Sequence, residues 1–404
     1  MERSLPPGNL RGAINPESRA GQKPSAGQPR IGVCHIASGD RWAGAEAQVA
    51  ALLKHLSREP DFLLSAIVLN PGRLADKIRD CGIETRVIPE NAHGFHALSR
   101  EAVNFLEGKN IRILHSHRYK ENLLAAWLAW RLDIPHRVQT QHGLPEPQRG
   151  FRRVKQMAIQ GLDRLIMRRA ADRVISVSSE MTRHLTRQLG SKRIVTIPNG
   201  VDLEEVRSSL TPQEAKERLG ITRGCEVVGT AGRLEPIKRL DIFLRAAAKI
   251  RGERPSTRFV IAGEGREAAA LRALAQALGI AEAVRFLGHR DDIYDVLRAF
   301  DLMVLSSDHE GLPMILLEAL GLGVAAVARA VGGIPEVIQD GRNGILVDSA
   351  DPELLAQACL RALSDRALSQ RLAEAGPLSV ASDFSARTTA HKVAQLYLSL
   401  LAGP

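Results

Sequence analysis

The feature that most narrows the fold is an alternation of short apolar β-type runs with helical patterns, occurring as two successive series along the 404 residues. In the first series the β-type runs fall at 31–36, 63–69, 85–88, 111–115, 137–140, 173–177 and 194–197. Helical patterns fill the gaps, as at 44–56, 97–107 and 121–131. A turn at Pro198, Asn199 and Gly200 opens a polar stretch that runs to Thr211 and Pro212, and reads as a linker. The β-type runs then restart at 227–231, 258–262, 284–287, 302–305, 324–328 and 344–347. Strand–helix alternation of this kind predicts parallel sheets covered on both faces. A chain this long exceeds one core, so two doubly wound domains are expected. At the end, Val393, Leu396, Tyr397 and Leu400 recur at helical spacing and predict an amphipathic helix. In such sheets ligands sit beyond the carboxyl ends of the strands, so the motifs should face a cleft between the domains.

The densest chemistry lies in the run DHEGLPMILLEA, from Asp308 to Ala319. Gly311 and Pro313 read as a break and a first-turn residue, and 314–320 as a buried apolar helix. Glu310 should sit at the helix mouth and Glu318 two turns deeper, a rise of roughly 12 Å. Free N–H groups and the helix dipole at such a mouth favour an anion. A ligand with hydroxyls at both ends and an anion between them fits this spacing, and a nucleotide diphosphate-sugar has that layout.

Other motifs follow strands. After 227–231 come Gly232, Arg233 and Lys238, two cations five apart that could hold a pyrophosphate and take up negative charge as it leaves. Turns at Gly263, at Gly288 with His289, and at Gly332–Gly333 let backbone come close to a ligand. In the first half, Gly44 opens a helix behind a strand, a second anion-friendly mouth. No G-x-G-x-x-G occurs there, which argues against a dinucleotide site. His115 and His117 end one strand and His142 ends the next, open between a structural and a catalytic role. No third ligand at suitable spacing is evident, so no metal site is expected.

Composition bears on partners. Residues 1–200 carry 31 Lys and Arg against 18 Asp and Glu, whereas residues 201–404 carry 24 against 27. The basic half implies an anionic partner: nucleic acid, an acidic membrane surface, or a phosphate-bearing acceptor. Aromatic residues make up only 4%, which leaves base stacking little to work with, so no nucleic acid is expected. The segment 149–169, from Arg149 to Arg169, interleaves seven Arg and Lys with apolar residues and Asp163 alone as acid. It reads either as an amphipathic helix touching an anionic bilayer or as a solvated face over an ordinary core helix. No apolar run is long enough to span a bilayer, and 1–29, rich in Pro, Gly and Ser, reads as a disordered leader rather than a signal peptide. Four scattered cysteines without metal spacing suit a reducing cytosol.

From about Arg30 to Leu401 the chain resembles glycosyltransferase family 4, the retaining GT-B-type transferases that use nucleotide-sugar donors. The resemblance rests on Gly232 and Arg233 with Lys238, Gly263-Glu264-Gly265, Gly288, Ser306 to Gly311, Glu318 with Ala319, Gly332-Gly333 with Pro335-Glu336, and Asn343-Gly344. It implies an N-terminal acceptor-side domain over 30–205, rejoined by the closing helix 384–402, and a donor domain over 206–383. Arg233 and Lys238 would bind the donor diphosphate, Glu310 the transferred sugar, and Glu318 the ribose. His117 would lie beside the sugar at the reaction centre, so His117, Glu310, Arg233 and Lys238 form the expected catalytic set. Gly263, Gly288, His289, Gly311, Leu312 and Pro313 complete the donor contacts, with Gly44 and His142 on the acceptor or phosphate side. No cofactor and no metal are implied; a hexose would pass to a hydroxyl of a glycan or lipid-linked acceptor, in the cytoplasm or at the inner face of the membrane. Two departures stand out: Ala43-Gly44-Ala45 where paired glycines are common, and Ala325-Ala326 where a proline is usual. An epimerase or hydrolase of a nucleotide-sugar is the alternative on the same fold.

Overall fold

The computed structural model describes residues 29–39, 42–90, 94–143 and 151–403, without the side chains of 151–160. The leader expected over 1–29 lies, but for its last residue, outside the described residues, as does Arg149.

The first series folds as β1 (Ile31–Ala37), α1 (Gly44–Leu56), β2 (Phe62–Val68), α2 (Arg73–Asp80), β3 (Glu84–Val87) and α3 (Phe95–Leu106). It continues through β4 (Ile111–Ser116), α4 (Tyr119–Leu132), β5 (His136–Gln141), α5 (Phe151–Ala170), β6 (Arg173–Ser176), α6 (Ser179–Leu189) and β7 (Ile194–Thr196). The second begins with α7 (Pro212–Arg218), β8 (Val227–Ala231), α8 (Leu240–Glu253), β9 (Arg258–Ala262), α9 (Ala268–Ala277), β10 (Val284–Gly288) and α10 (Ile293–Arg298). Then come β11 (Leu302–Leu305), α11 (Met314–Gly321), β12 (Ala325–Arg329), α12 (Ile334–Val337) and β13 (Ile345–Val347). Three helices close the chain: α13 (Pro352–Ser364), α14 (Arg366–Asp383) and α15 (Ala386–Leu401).

Two all-parallel sheets result, one of seven strands in the order β3-β2-β1-β4-β5-β6-β7 and one of six in the order β10-β9-β8-β11-β12-β13. This is the two-domain α/β architecture of the GT-B type. Every β-type run picked out by composition is a strand. The central strands are buried along their length, as in β1 and β11, because helices cover both faces; continuous apolar runs are what such strands need.

Each sheet reverses its strand order once, between β1 and β4 and between β8 and β11. At a reversal the flanking helices depart to opposite faces and leave a crevice at the carboxyl ends of the strands. The loops after these four strands carry Gly44, His117, Arg233 with Lys238, and Glu310.

The stretch 198–211 holds no helix or regular strand, yet it is packed rather than slack. The Asn199 side-chain amide donates to Leu312 O at 3.0 Å, and Lys54 bridges to Asp202 at 2.6 Å. Thr211 then caps α7 with a reciprocal bond to Glu214, and Pro212 takes the first turn, which is why that helix starts there. The chain returns beside this stretch: Val201 N–H donates to Phe384 O, and Ala386 N–H to Val201 O. Beyond that point α15 lies on the first sheet, where Ala390, Val393, Ala394 and Tyr397 share a core with Val33, Leu53 and Phe62.

Candidate active site

On the second domain, β8 ends in Gly232 and Arg233, and one turn of 3-10 helix (Pro236–Lys238) lifts Lys238 over the strand ends. Its ammonium lies 2.7 Å from Glu310 Oε1, and Ser307 Oγ donates to the same oxygen at 2.6 Å. Glu310 is 8% exposed, so the pair is largely shielded from water. Gly332 closes the loop from behind: a Cβ there would stand 1.7 Å from Glu310 O, and its φ of +59° belongs to glycine. Two arginines that motif reading passed over brace the loop. Arg329 donates to Ser306 O, to Ser307 O and to the Asp308 carboxylate, and Arg239 grips Asp308 from the other side.

Pro313 is not in the first turn of the helix, as its position suggested. It takes an extended conformation as the residue before Met314 and offers no side-chain cap, so the first N–H groups of α11 face the loop uncapped. Glu318 is buried at the start of the second turn of α11, four residues past Met314, so its helical rise from the mouth is about 6 Å rather than the roughly 12 Å expected. It lines a cavity of about 160 Å³ with Trp42, Lys54, Lys77, Tyr294 and Met314, between α1–α2 of one domain and α10–α11 of the other. Burial pushes its carboxyl up to about 7, against an opposing hydrogen bond from Tyr294.

Two expected donor contacts are arranged differently. Gly263 spends its N–H on Gly288 O at 2.7 Å, so these turns zip to each other. His289 is half exposed; its N–H donates to Glu264 Oε1 and its ring turns toward Asp291.

The first domain meets this site closely. Gly44, at the mouth of α1, comes within 3.5 Å of Met314 as measured from an added Cβ. A Cβ on Gly311 would lie 2.4 Å from His142 O, so only glycine permits the approach of the two loops. Arg118 reaches back to the buried Glu46 in the first turn of α1, at 2.5 Å.

His117 Nδ1 contacts His142 Nε2 at 3.2 Å, and His117 Nε2 contacts His35 Nδ1 at 3.1 Å. Both ring nitrogens of His117 are therefore engaged with other histidines, which leaves neither for a sugar in this conformation. His35 corrects the expectation that no further ligand lies at suitable spacing beside the strand-end histidines. It pairs in register with His115 across β1 and β4, and the twofold period of a strand puts His117 on the same face. One ring nitrogen from each of His35, His115 and His117 falls within 4.8 Å of the others. A polar residue in the buried run IGVCHIA was the available signal, since a buried imidazole needs partners. Burial drives His35 and His142 down to about 3, and His115 and His117 well below the ordinary histidine value, so all four rings are neutral at pH 7.

Among known proteins, two family profiles match consecutive parts of the chain: "Glycosyltransferase Family 4" over residues 42–205 and "Glycosyl transferases group 1" over 212–378. The D-inositol 3-phosphate glycosyltransferase of Corynebacterium urealyticum is 30% identical over 320 residues, covering 74% of this chain and 73% of that protein. The protein of the same name from Streptomyces avermitilis is 30% identical over 306 residues, and there the chain spans 65% of the relative's length. Among solved structures, HepE of Anabaena in complex with UDP and glucose superposes with a TM-score of 0.81 at 20% identity, covering 92% of this chain and all of that one. At that identity the likeness speaks for the fold.

Proposed function

Since the chain belongs to glycosyltransferase family 4, we propose that it moves a hexose from a nucleotide diphosphate-sugar to an acceptor hydroxyl with retention of configuration. The observation that carries this is the shielded pair of Lys238 and Glu310 at the uncapped mouth of α11, in the crevice where β8 and β11 diverge. Without a donor, Glu310 holds the Lys238 ammonium. When a diphosphate arrives, Lys238, Arg233 and the first N–H groups of α11 take its charge, and Glu310 is released to accept hydrogen bonds from sugar hydroxyls.

In the transfer, the bond from the anomeric carbon to the diphosphate breaks with its electron pair on the phosphate oxygen. The acceptor hydroxyl attacks the same face, and its proton passes to that departing oxygen. The fixed cations stabilise the charge that grows there. Glu318 accepts from the ribose hydroxyls. The complex of the Anabaena neighbour with UDP and glucose supports a nucleotide-sugar as donor class. The acceptor is a glycan or lipid-linked hydroxyl. The described end of α5 supports a meeting place at an anionic bilayer: Leu162 and Leu165 are 48% and 43% exposed beside the exposed Arg164, Arg168 and Arg169. Among the described residues no helix is long and apolar enough to cross a membrane.

The test is acceptor-dependent release of nucleoside diphosphate in EDTA. Lys238→Ala and Glu310→Ala should each lose about 100-fold or more in kcat, the scale of one charge-stabilising contact. Release that needs no acceptor would favour hydrolysis or epimerisation; unimpaired turnover by both variants would refute the site.

A further inference from the structure

Five contacts join six buried or half-buried side chains into a line. Thr140 Oγ1 meets His115 Nε2 at 2.7 Å, and His115 Nδ1 meets the Tyr397 hydroxyl at 2.5 Å. That hydroxyl meets His35 Nε2 at 3.1 Å. His35 Nδ1 and His117 Nε2, then His117 Nδ1 and His142 Nε2, complete it at 3.1 and 3.2 Å. Every ring nitrogen of His35, His115 and His117 is used once. The nitrogen left over, His142 Nδ1, is buried with no partner among the described residues. It belongs to the residue whose carbonyl abuts Gly311 at the donor loop.

A neutral imidazole has one N–H and one lone pair. A link between two such rings needs one hydrogen, so the tautomer of one ring dictates that of the next. At Tyr397 the hydroxyl accepts from one histidine and donates to the other. Only two arrangements give every link a hydrogen and leave the Tyr397 proton paired: all four histidines protonated on Nδ1, or all four on Nε2. In the second, His115 donates to Thr140, whose own hydroxyl hydrogen then has no partner among the described residues. In the first, Thr140 donates to His115, and the hydrogen left without a partner among the described residues is His142 Nδ1–H. His142 is only half buried, whereas Thr140 is 4% exposed, so an oxygen of solvent or ligand can reach that end of the line.

We propose that the line is a tautomer relay that holds His142 as an Nδ1–H donor toward the cleft, for an oxygen of the donor's sugar or diphosphate. Tyr397, His115 and His35 are positioning residues: from the core, they fix which face of the cleft pair His117–His142 carries hydrogen. The charged group beside the line is Arg118, paired with Glu46, and it keeps His117 and His142 neutral further. No carboxylate among the described residues contacts the four rings. The ligand assignment rests on the proposed transferase site; the tautomer pattern does not.

The experiment is long-range proton–nitrogen NMR on the nitrogen-15-labelled full chain from pH 5.5 to 8.5. Four of the twelve histidines should stay neutral throughout and share the Nδ1–H signature. Tyr397→Phe keeps the ring and removes the hydroxyl. It should free His115 to mix tautomers while His35, His117 and His142 remain matched to one another. If His142 then splits evenly, the competent fraction halves and turnover falls about twofold. Mixed tautomers in the wild-type protein, or titration of these rings near the ordinary histidine value, overturn the relay even if the Phe variant fails to fold. A pattern abolished by a chelator overturns it too, since a metal on His35, His115 and His117 would claim the same lone pairs. Absence of transferase activity beside the uniform Nδ1–H pattern would refute the function and leave the relay standing.

Discussion

Replacing Glu318 by Gln should stabilise the ligand-free protein at alkaline pH and not at acidic pH. Burial raises this carboxyl from 4.5 to about 7. Between those values the folded chain keeps a proton that the unfolded chain has lost. The group's contribution to stability is thus fully present below 4.5, declines through the window up to 7, and stays at its lowest above it. The gap of about 2.5 pKa units corresponds to about 3 kcal/mol at pH 8. Gln keeps the shape and has no charge to bury, so the variant escapes that penalty. For a domain of this size, about 3 kcal/mol moves Tm by roughly 6–12 °C. Calorimetric scans of both proteins at pH 5, 6, 7 and 8 should show a difference in Tm that grows with pH and levels off above 7. A difference that does not vary with pH would refute the burial argument. The same variant should bind a nucleoside diphosphate about 10-fold or more weakly at pH 8, the worth of a hydrogen bond to a charged acceptor. A variant that gains stability and binds normally would take Glu318 out of the donor site.

Gly332→Ala should displace Glu310, because the new methyl would overlap Glu310 O at 1.7 Å and φ is +59°. A shift of about 1 Å at such a contact costs about 100-fold in turnover; full kcat in a folded variant would show that the loop does not hold the carboxylate. For α5, co-sedimentation with anionic vesicles should exceed that with neutral ones. Changing Arg164 and Arg169 to Gln should weaken it about fivefold per charge removed. Binding indifferent to anionic lipid would leave α5 as a solvated face.

What could be read from sequence was local. The strands announced themselves because a parallel sheet covered on both faces needs unbroken apolar runs, and α1 spans 44–56 as its periodicity indicated. The loop from Asp308 to Gly311 was legible because two carboxylates, Glu310 and Glu318, are spaced across the start of an apolar helix. The long-range pairings were not. His35 and His115 become neighbours through the register of β1 on β4, which no spacing encodes. Tyr397 reaches His35 across 362 positions of sequence. His117 was expected to lie beside the sugar at the reaction centre, and partners from β1 and the loop after β5 occupy both of its ring nitrogens. Arg239 and Arg329 had no place among the sequence motifs, because only the fold turns them onto Asp308.

The docking of α15 on the first sheet has a consequence for synthesis. The second domain is one continuous stretch and can close as it leaves the ribosome. The first cannot, because the face formed by Val33, Leu53 and Phe62 waits for Val393 and Tyr397. At about 5–20 residues per second, the roughly 190 residues between β7 and α15 take about 10–40 s to appear. For that interval the nascent chain carries an unfinished apolar surface, long enough to recruit a chaperone and to make the birth of this protein slower than its size suggests.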